Sequence, residues 1–309
     1  MIIDNPDPYL LPTYRMSPFS TADVHKNANL KVKTALIEMY LEKRFDKRNY
    51  VFTASGKSAL YAALEYYHLK PRDVVTILTT SGNFYISSCV TGEIEKFCRW
   101  SRKIEKETKL VLVNHEFGYP VVDMEAIEKL GFPIIEDCAY SFLSGTEAYG
   151  VGEVGDFAIY SFPKLFPVQI GGLLTAKSSI AMDLMHDVLP DKEELVYLKT
   201  VLSAYIDTTE EIAEKRRKNY RELMKRLVAA GCTERFAFEP GIVPGACLFK
   251  VPEKVDLPAM KTFLWSRGIQ CSVFYGEQAF FVPVHQKLEN EDIAYISKNI
   301  YYFIEKNSL

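Results

Sequence analysis

Apolar positions recur with two periods along the chain, and their alternation predicts an α/β fold. Helical spacing covers residues 30–44, 58–69 and 124–130. Short apolar runs typical of buried strands occupy residues 74–78, 110–113, 132–135, 156–162 and 172–175. Because such runs alternating with helices are typical of parallel sheets, we expect a mostly parallel central sheet flanked by helices. Ligands then bind at the carboxyl ends of the strands.

The pattern changes after residue 176 and predicts a second, smaller domain. Residues 178–230 have helical spacing throughout, and two short apolar runs and a closing helix follow. We therefore predict a large domain over residues 1–200 and a small C-terminal α/β domain over residues 201–309. Residues 1–22, rich in proline and aromatic side chains, are expected to form an extended N-terminal arm of the large domain.

Composition and charge narrow the function classes. The 37 basic and 40 acidic residues give a net charge of −3, so no strong positive field favours nucleic acid or acidic lipid. No apolar stretch approaches the roughly 18 residues of a membrane helix, and the N-terminus lacks a secretory pattern. The six cysteines show no C-x-x-C spacing. We expect a cytoplasmic enzyme with reduced thiols, without disulfides and without a metal site.

The stretch TASGKSAL, residues 53–60, contains the G-K-S that ends a nucleoside triphosphate loop. That loop requires G-x-x-x-x-G-K-[ST], and Val51 stands where its first glycine belongs. A triphosphate site is therefore excluded. A small residue and Gly56 opening a helix still predict an anion site, because the first N–H groups of a helix are free. A plain helix cap at Ser55 explains the same residues equally well.

Two further stretches carry candidate chemistry. In IIEDCAYS, residues 134–141, a buried strand ends in Asp137, whose charge requires a cation or a strong donor. An aspartate that only caps a loop is the alternative. In SFPKLFPVQIGG, residues 161–172, Lys164 lies among apolar side chains. Burial there would lower its pKa and make it a nucleophile toward aldehydes, whereas a surface lysine is the alternative.

Taken together, the three stretches match one constellation. An anion site at a helix N-terminus, a buried acid and an apolar lysine are what pyridoxal 5′-phosphate enzymes use for the phosphate, the pyridine nitrogen and the Schiff base. None of the three stretches is specific by itself. Their combination favours a pyridoxal phosphate enzyme.

The chain resembles the DegT/DnrJ-type sugar aminotransferases, which have the aspartate aminotransferase fold, fold type I of the pyridoxal phosphate-dependent transferases. The matching segments are SGKSAL at 55–60, NHEFGYPVVDM at 114–124, EDCA at 136–139, GEVGD at 152–156, the S-F, K and G-G positions of 161–172, KRRKNY at 215–220 and VPVHQKLENEDIAYI at 282–296. The resemblance covers nearly the whole chain from about residue 30. Lys57 replaces the threonine that the family has in S-G-T-x-A-L.

The resemblance implies roles for the reactive residues. Lys164 would hold the cofactor as a Schiff base and move the proton between the substrate carbon and the cofactor. Asp137 would keep the pyridine nitrogen protonated. Phe84 would stack on the cofactor ring, with the adjacent Tyr85 as the second choice.

It also implies a phosphate site. Gly56 and the backbone N–H groups of Lys57 and Ser58, with the Ser161 hydroxyl, would hold the phosphate, and the Lys57 ammonium would add a direct charge. Tyr140 stands where the family has glutamine or histidine near the phenolic oxygen of the cofactor. A phenol can make the same hydrogen bond, so Tyr140 is included in the predicted site.

By this resemblance the protein is expected to be a homodimeric aminotransferase. It would move an amino group from glutamate to a keto sugar nucleotide, in the biosynthesis of lipopolysaccharide, polysaccharide or secondary-metabolite sugars. A dehydratase or isomerase of the same fold is one alternative, although Lys164 stands where the dehydratases have histidine. A non-catalytic paralogue that binds the cofactor or a sugar nucleotide is the other. It is suggested by shortened segments after residue 178 and before residue 282, where the family forms its substrate pocket.

Overall fold

The larger sheet contains seven strands in the order β1-β7-β6-β5-β4-β2-β3. The computed structural model describes residues 13–146, 150–181 and 188–306, so most of the predicted N-terminal arm lies outside the described residues. The strands are β1 (Arg48–Thr53), β2 (Val74–Thr79), β3 (Arg99–Ser101), β4 (Thr108–Asn114), β5 (Ile134–Asp137), β6 (Phe157–Ser161) and β7 (Gly172–Lys177). Strand β7 runs antiparallel to both of its neighbours, and the remaining pairs are parallel.

This arrangement collects polar positions at one edge of the sheet. Strands β1, β4, β5 and β6 end there at Thr53, Asn114, Asp137 and Ser161, and β7 begins there at Gly172. The interior of the sheet is apolar, with Leu112, Ile135 and Leu174 buried. The strand-end residues Asp137 and Ser161 therefore lie where the buried strands give way to loops.

Helices cover the sheet and connect its strands. Those of the first two thirds of the chain are α1 (Thr21–Ala28), α2 (Ala35–Arg44), α3 (Gly56–Tyr66), α4 (Ser88–Ile94), α5 (Met124–Glu128) and α6 (Lys192–Tyr205). Helix α3 buries Ala59, Leu60 and Ala63 against the sheet. Helix α6 begins with a reciprocal cap between Asp191 and Glu194 and packs its apolar face against α2.

The smaller sheet has the order β10-β11-β9-β8. Its elements are β8 (Thr233–Glu234), β9 (Cys247–Lys250), β10 (Ser272–Val273), β11 (Ala279–Val282) and the helices α7 (Thr209–Leu227), α8 (Leu257–Ser266) and α9 (Asn290–Lys306). The amphipathic helix α7 buries Tyr220, Leu223 and Leu227 in this second core. The backbone of Tyr14 bonds to Gly268 and Gln270, so the start of the described chain is attached to the segment between α8 and β10.

The mixed α/β architecture agrees with the prediction, and most predicted elements are present within one to four residues at each end. Six elements escaped the apolar pattern: α1, β1 with its polar start Arg48-Asn49, β3, β8, α8 and β11. The prediction that residues 178–230 are helical throughout was wrong, because α6 begins only at Lys192 and a tight turn at Ile206–Thr208 separates it from α7. The domain division at residue 200 stays a prediction.

Candidate active site

A cavity of about 450 Å³ opens at the carboxyl edge of the large sheet. It is bounded by both sheets and by the start of the described chain. Its lining residues include Met16, Ser55, Gly56, Lys57, Tyr85, Cys89, Asn114, His115, Asp137, Tyr140, Ser161, Lys164, Lys261, Trp265, Gln270 and Ser272. Six of the eight predicted site residues are therefore brought together here: Gly56, Lys57, Asp137, Tyr140, Ser161 and Lys164.

Lys164 ends a tight turn, Phe162–Lys164, that follows β6. The apolar neighbours Phe162, Leu165 and Phe166 are buried, so they anchor the turn and leave the ammonium facing the cavity. Its Nζ lies 4.9 Å from the ring centre of Tyr140. The predicted low pKa of Lys164 is wrong. Tyr140, which has the largest effect, and Asp137 hold the pKa of Lys164 above its usual value, although burial opposes this. The effect of these polar neighbours on the pKa is larger than the opposite effect of burial among apolar side chains.

Asp137 is the last residue of β5, and its carboxylate is buried in the cavity. Oδ2 accepts a 2.6 Å hydrogen bond from the Asn114 side chain, and Oδ1 accepts one of 3.0 Å from the Ala139 N–H. Burial nevertheless raises the pKa of Asp137, because the two donors and the more distant charge of Lys164 offset only part of the desolvation. A cationic ligand group would complete this environment.

The N-terminus of α3 forms one wall of the cavity. Ser55 caps the helix, since its Oγ accepts the Ser58 N–H at 3.0 Å, and the two hydroxyls lie 2.9 Å apart. The prediction for Ser58 is therefore corrected: its N–H is already used within the cap. Gly56 and Lys57, unlike Ser58, line the cavity. The plain cap at Ser55 is therefore present, and an anion site at this helix N-terminus stays a prediction.

Close backbone approach explains the glycines on this wall. A Cβ at Gly56 would stand 2.9 Å from the Ser161 Cβ and 3.3 Å from its Oγ. A Cβ at Gly172 would stand 2.5 Å from the Gly56 nitrogen. The start of α3 thus lies directly on the ends of β6 and β7, and the Ser161 hydroxyl stands beside the helix N-terminus. Together they form a cradle lined by N–H and O–H donors.

Lys57 carries the charge that distinguishes this cradle. Its side chain is 56% exposed, and Nζ lies 3.0 Å from Oε1 of Glu93, which is 1% exposed. Lys96 binds the other oxygen of Glu93 at 2.7 Å. The hydrogen bond and charge of Glu93 raise the pKa of Lys57. The ammonium therefore lies at the cavity with a carboxylate already beside it.

The predicted stacking residue is also corrected. Phe84 is 62% exposed, outside the cavity lining, and its ring lies 4.0 Å beneath the guanidinium of Arg102. The second choice, Tyr85, lines the cavity and packs against Phe117 and Phe274. The loop after β2 turns at Gly82, which has a φ of 68°, and the two adjacent aromatic side chains beyond it have different neighbours.

His115 and Glu136 form a structural pair at the back of the cavity. The His115 Nδ1 accepts the Val121 N–H at 3.0 Å, so Nε2 carries the proton and donates to Glu136 at 2.9 Å. Glu136 also accepts the N–H groups of Gly152, Val154 and Gly155. The pair lies beside the buried thiol of Cys138, a combination that could ligate a metal. The four donors on Glu136 instead indicate a structural role.

Sequence reasoning missed residues that the fold brings to the site. Asn114 lay within a recognised motif but was not singled out, although it binds Asp137. Lys261 and Trp265 on α8 and Gln270 before β10 also line the cavity. No motif spacing links them to Lys164, so only the packing of the two sheets could reveal them. The six cysteines are free thiols, and Cys89 alone among them is exposed.

Comparison with known proteins identifies the relationship. Residues 97–187 match the family model described as the DegT/DnrJ/EryC1/StrS aminotransferase family. The predicted resemblance to this family is confirmed. The matched segment contains Asp137, Tyr140, Ser161 and Lys164. No curated protein sequence matches the chain.

Solved structures agree on the fold. The aminotransferase TlmJ from Streptoalloteichus hindustanus is 16% identical with a TM-score of 0.75, covering 95% of this chain and 99% of its own. The PLP-form of the proposed sugar aminotransferase Spr1654 from Streptococcus pneumoniae is 15% identical with a TM-score of 0.71, covering 96% of this chain and 100% of its own. DesI, solved in the presence of its TDP-sugar product, is 12% identical with a TM-score of 0.73, covering 97% of this chain and 94% of its own. The predicted aminotransferase fold is therefore confirmed. Within the described residues, no helix is long and apolar enough to cross a membrane.

Proposed function

We propose that the protein is a pyridoxal 5′-phosphate-dependent aminotransferase that moves an amino group from glutamate to a keto sugar nucleotide. One observation carries the proposal: the cavity joins a lysine amine, a buried carboxylate and a donor cradle at a helix N-terminus. The family match over residues 97–187 supports it. So does the likeness to a protein solved in a PLP-form.

The residues present fit the proposed cofactor. The cradle at Gly56 admits no Cβ and presents N–H and O–H donors, which suits a phosphate. The carboxylate of Asp137 is buried, and its raised pKa is relieved by a protonated ring nitrogen. The Lys164 amine faces the same cavity and suits an aldehyde. These three groups match the three ends of the cofactor.

When bound, pyridoxal 5′-phosphate draws electrons from the substrate carbon that loses its proton. Lys164 would hold the cofactor aldehyde covalently and then, released, carry the proton to and from that carbon. Asp137, oriented by Asn114, would keep the proton on the ring nitrogen. Tyr140 would donate to the phenolic oxygen, and Tyr85 would cover one face of the ring.

The wall from the small domain suits the acceptor substrate. Lys261 and Trp265 are one turn apart on α8, and both line the cavity. The indole N–H of Trp265 donates to the Cys271 carbonyl at 2.9 Å, which fixes the ring. An ammonium and a fixed aromatic ring suit a phosphate and a nucleobase. A homodimer in the cytoplasm remains part of this proposal.

The decisive experiment is a visible spectrum of the purified protein with pyridoxal 5′-phosphate, before and after L-glutamate. We expect an absorption band of the lysine-bound cofactor, which glutamate converts to the pyridoxamine form. Lys164→Ala should remove the covalent band without unfolding the protein. Lys177→Ala is the matched control, because Lys177 pairs with Asp156 and does not line the cavity.

Each outcome has a clear meaning. A band that glutamate leaves unchanged contradicts glutamate as donor. No band with added cofactor contradicts the enzyme proposal itself. Incubation of the pyridoxamine form with keto sugar nucleotides then tests the acceptor, since only a true acceptor restores the original band. Release of water from the sugar without amine transfer would favour the dehydratase alternative.

A further inference from the structure

Arg216, on helix α7, is a wholly buried cation close to Lys164. Its side chain is 1% exposed. Its three bonds all go to neutral oxygens: Nη2 donates to the Lys164 carbonyl at 2.8 Å, Nη1 to the Pro244 carbonyl at 3.4 Å, and Nε to the Gln286 side chain at 2.9 Å. No carboxylate in the described ranges forms an ion pair with it.

Gln286 extends this contact to the next residue of the turn. Its amide Nε2 donates to the Leu165 carbonyl at 2.8 Å. Arg216 and Gln286 together therefore hold two consecutive carbonyls of the turn that carries the reactive lysine. Arg216 belongs to α7 and Gln286 follows β11, so the turn is held from outside the sheet that bears it.

Such an arrangement is costly if it serves stability alone. A buried guanidinium without an anion loses solvation that neutral acceptors only partly replace, and apolar residues of similar volume often stabilise such sites better. Burial lowers the pKa of Arg216 to about 10, and Tyr140 opposes this shift. The planar guanidinium has several N–H donors in a fixed geometry, so it can bind separate carbonyls at once, whereas a lysine ammonium lacks this geometry.

We propose that Arg216 is a positioning residue that fixes the Lys164 turn so that the lysine amine stays in reach of the aldehyde it attacks. The proposal rests on the proposed function, because it assigns Arg216 to the chemistry of that site. Arg216 contacts the backbone of Lys164 and is not itself expected to touch the cofactor.

The expected size of the effect follows from the sensitivity of catalysis to position. A displacement of about 1 Å at a reacting group costs on the order of 100-fold in rate. Arg216→Met should therefore slow formation of the covalent linkage by about 100-fold. The affinity for the cofactor before the linkage forms should change far less, because the cradle consists of the start of α3 and Ser161, at the end of β6, and Arg216 contacts neither of them.

Arg217→Met is the matched control. Arg217 is the next residue of α7 but donates to the Ile242 carbonyl and to Glu214, away from the turn. Gln286→Leu supplies a second test, because it removes the bond to the Leu165 carbonyl and one acceptor of Arg216 while it keeps the buried charge. Arg216→Lys keeps a cation that can bind one carbonyl, so its linkage rate should be higher than that of Arg216→Met. It should stay below the wild-type rate, because lysine cannot hold separate acceptors.

Two measurements separate this inference from the proposed function. Hydrogen exchange of the cofactor-free protein reports the turn directly, through the Leu165 and Phe166 amides that donate to the Phe162 carbonyl. Both amides should exchange faster in Arg216→Met and Gln286→Leu than in Arg217→Met. Borohydride trapping followed by mass spectrometry then measures the rate of linkage at Lys164.

Normal exchange and normal linkage rates in folded Arg216→Met or Gln286→Leu would overturn the proposal. Faster exchange with an unchanged linkage rate would also overturn it, because Arg216 would then be structural only. If the wild type forms no linkage, the proposed function fails, and the exchange data still decide whether Arg216 holds the turn. Should Arg216→Met fail to fold, Arg216→Lys and Gln286→Leu decide the question.

Discussion

Glu136 and Asp137 are adjacent carboxylates on one strand, and the structure uses them in opposite ways. Glu136 is 0% exposed and accepts hydrogen bonds from His115 and three backbone N–H groups. Asp137 is 4% exposed and accepts only from Asn114 and Ala139. Burial alone would raise both pKa values. The donors bring the pKa of Glu136 below its usual range, whereas that of Asp137 stays raised.

The difference follows from the geometry of a strand. Successive side chains point to opposite faces, so neighbouring acids enter different environments. Glu136 meets the loop of residues 150–155, whose N–H groups complete its hydrogen bonds. Asp137 meets the cavity, where no loop does so. A carboxylate with a complete set of donors is a structural element, whereas one left partly unsatisfied is prepared for a ligand.

The largest expected effect comes from Asp137→Asn. Because the amide cannot keep the ring nitrogen protonated, transamination should fall by on the order of 1,000-fold. The cofactor-free protein should at the same time become more stable, because an unfavourable buried charge is gone. Steady-state kinetics and urea unfolding of the same preparation test both halves. Loss of activity together with loss of stability would contradict the contrast.

Glu136→Gln should have the opposite profile. Its amide leaves buried N–H donors unpaired, so the free energy of unfolding should fall by about 3 kcal/mol. The activity of the folded fraction should change far less than in Asp137→Asn. Glu125→Gln is the control, since this exposed residue pairs with the equally exposed Lys129, and its replacement should cost under about 0.5 kcal/mol. An inactive but fully stable Glu136→Gln would show that Glu136 acts in the chemistry.

The pH dependence of stability should also separate the two residues. The lowered pKa of Glu136 makes its contribution complete above the usual carboxyl pKa of about 4.3, and the contribution is lost as the pH falls through the folded value. The raised pKa of Asp137 makes its charge increasingly destabilising as the pH rises above about 3.9.

Urea unfolding of cofactor-free protein at about pH 4, 5.5 and 7 would measure this, because the lowest value lies near the usual carboxyl pKa and the other two lie above it. The stability advantage of Asp137→Asn over the wild type should grow from the lowest to the highest pH. The deficit of Glu136→Gln should shrink at the lowest. Parallel curves for the three proteins would show that neither carboxylate titrates as described.

The smallest expected effect concerns Lys57, which shares the buried carboxylate of Glu93 with Lys96. Lys57→Met should weaken pyridoxal 5′-phosphate binding by about fivefold, because Glu93 already offsets much of its charge. Glu93→Gln should tighten binding by a similar factor, since it frees the Lys57 ammonium. Fluorescence titration at low and high salt measures both. Changes in the same direction would show that Lys57 does not face the phosphate.

The apolar pattern was sufficient for the strands that are buried on both faces. Strands β2, β4, β5 and β6 read as continuous apolar runs because helices cover both sides of the sheet. Strand β1 was missed because it is an edge strand with the polar residues Arg48 and Asn49. The chemistry followed a similar division: Lys164 and Asp137 stand out because a charge among apolar residues is visible in the sequence.

The sequence by itself determined the α/β class, the absence of a triphosphate loop at Val51, and the pairing of an apolar lysine with a strand-end acid. These properties depend on residues close together in the chain. Only the tertiary structure decided which of Phe84 and Tyr85 lines the cavity, that the Ser58 N–H is used within the cap, and that the pKa of Lys164 is raised. It also decided that Arg216 holds the Lys164 turn. These depend on contacts between residues far apart in sequence, and the packing of the two sheets creates them.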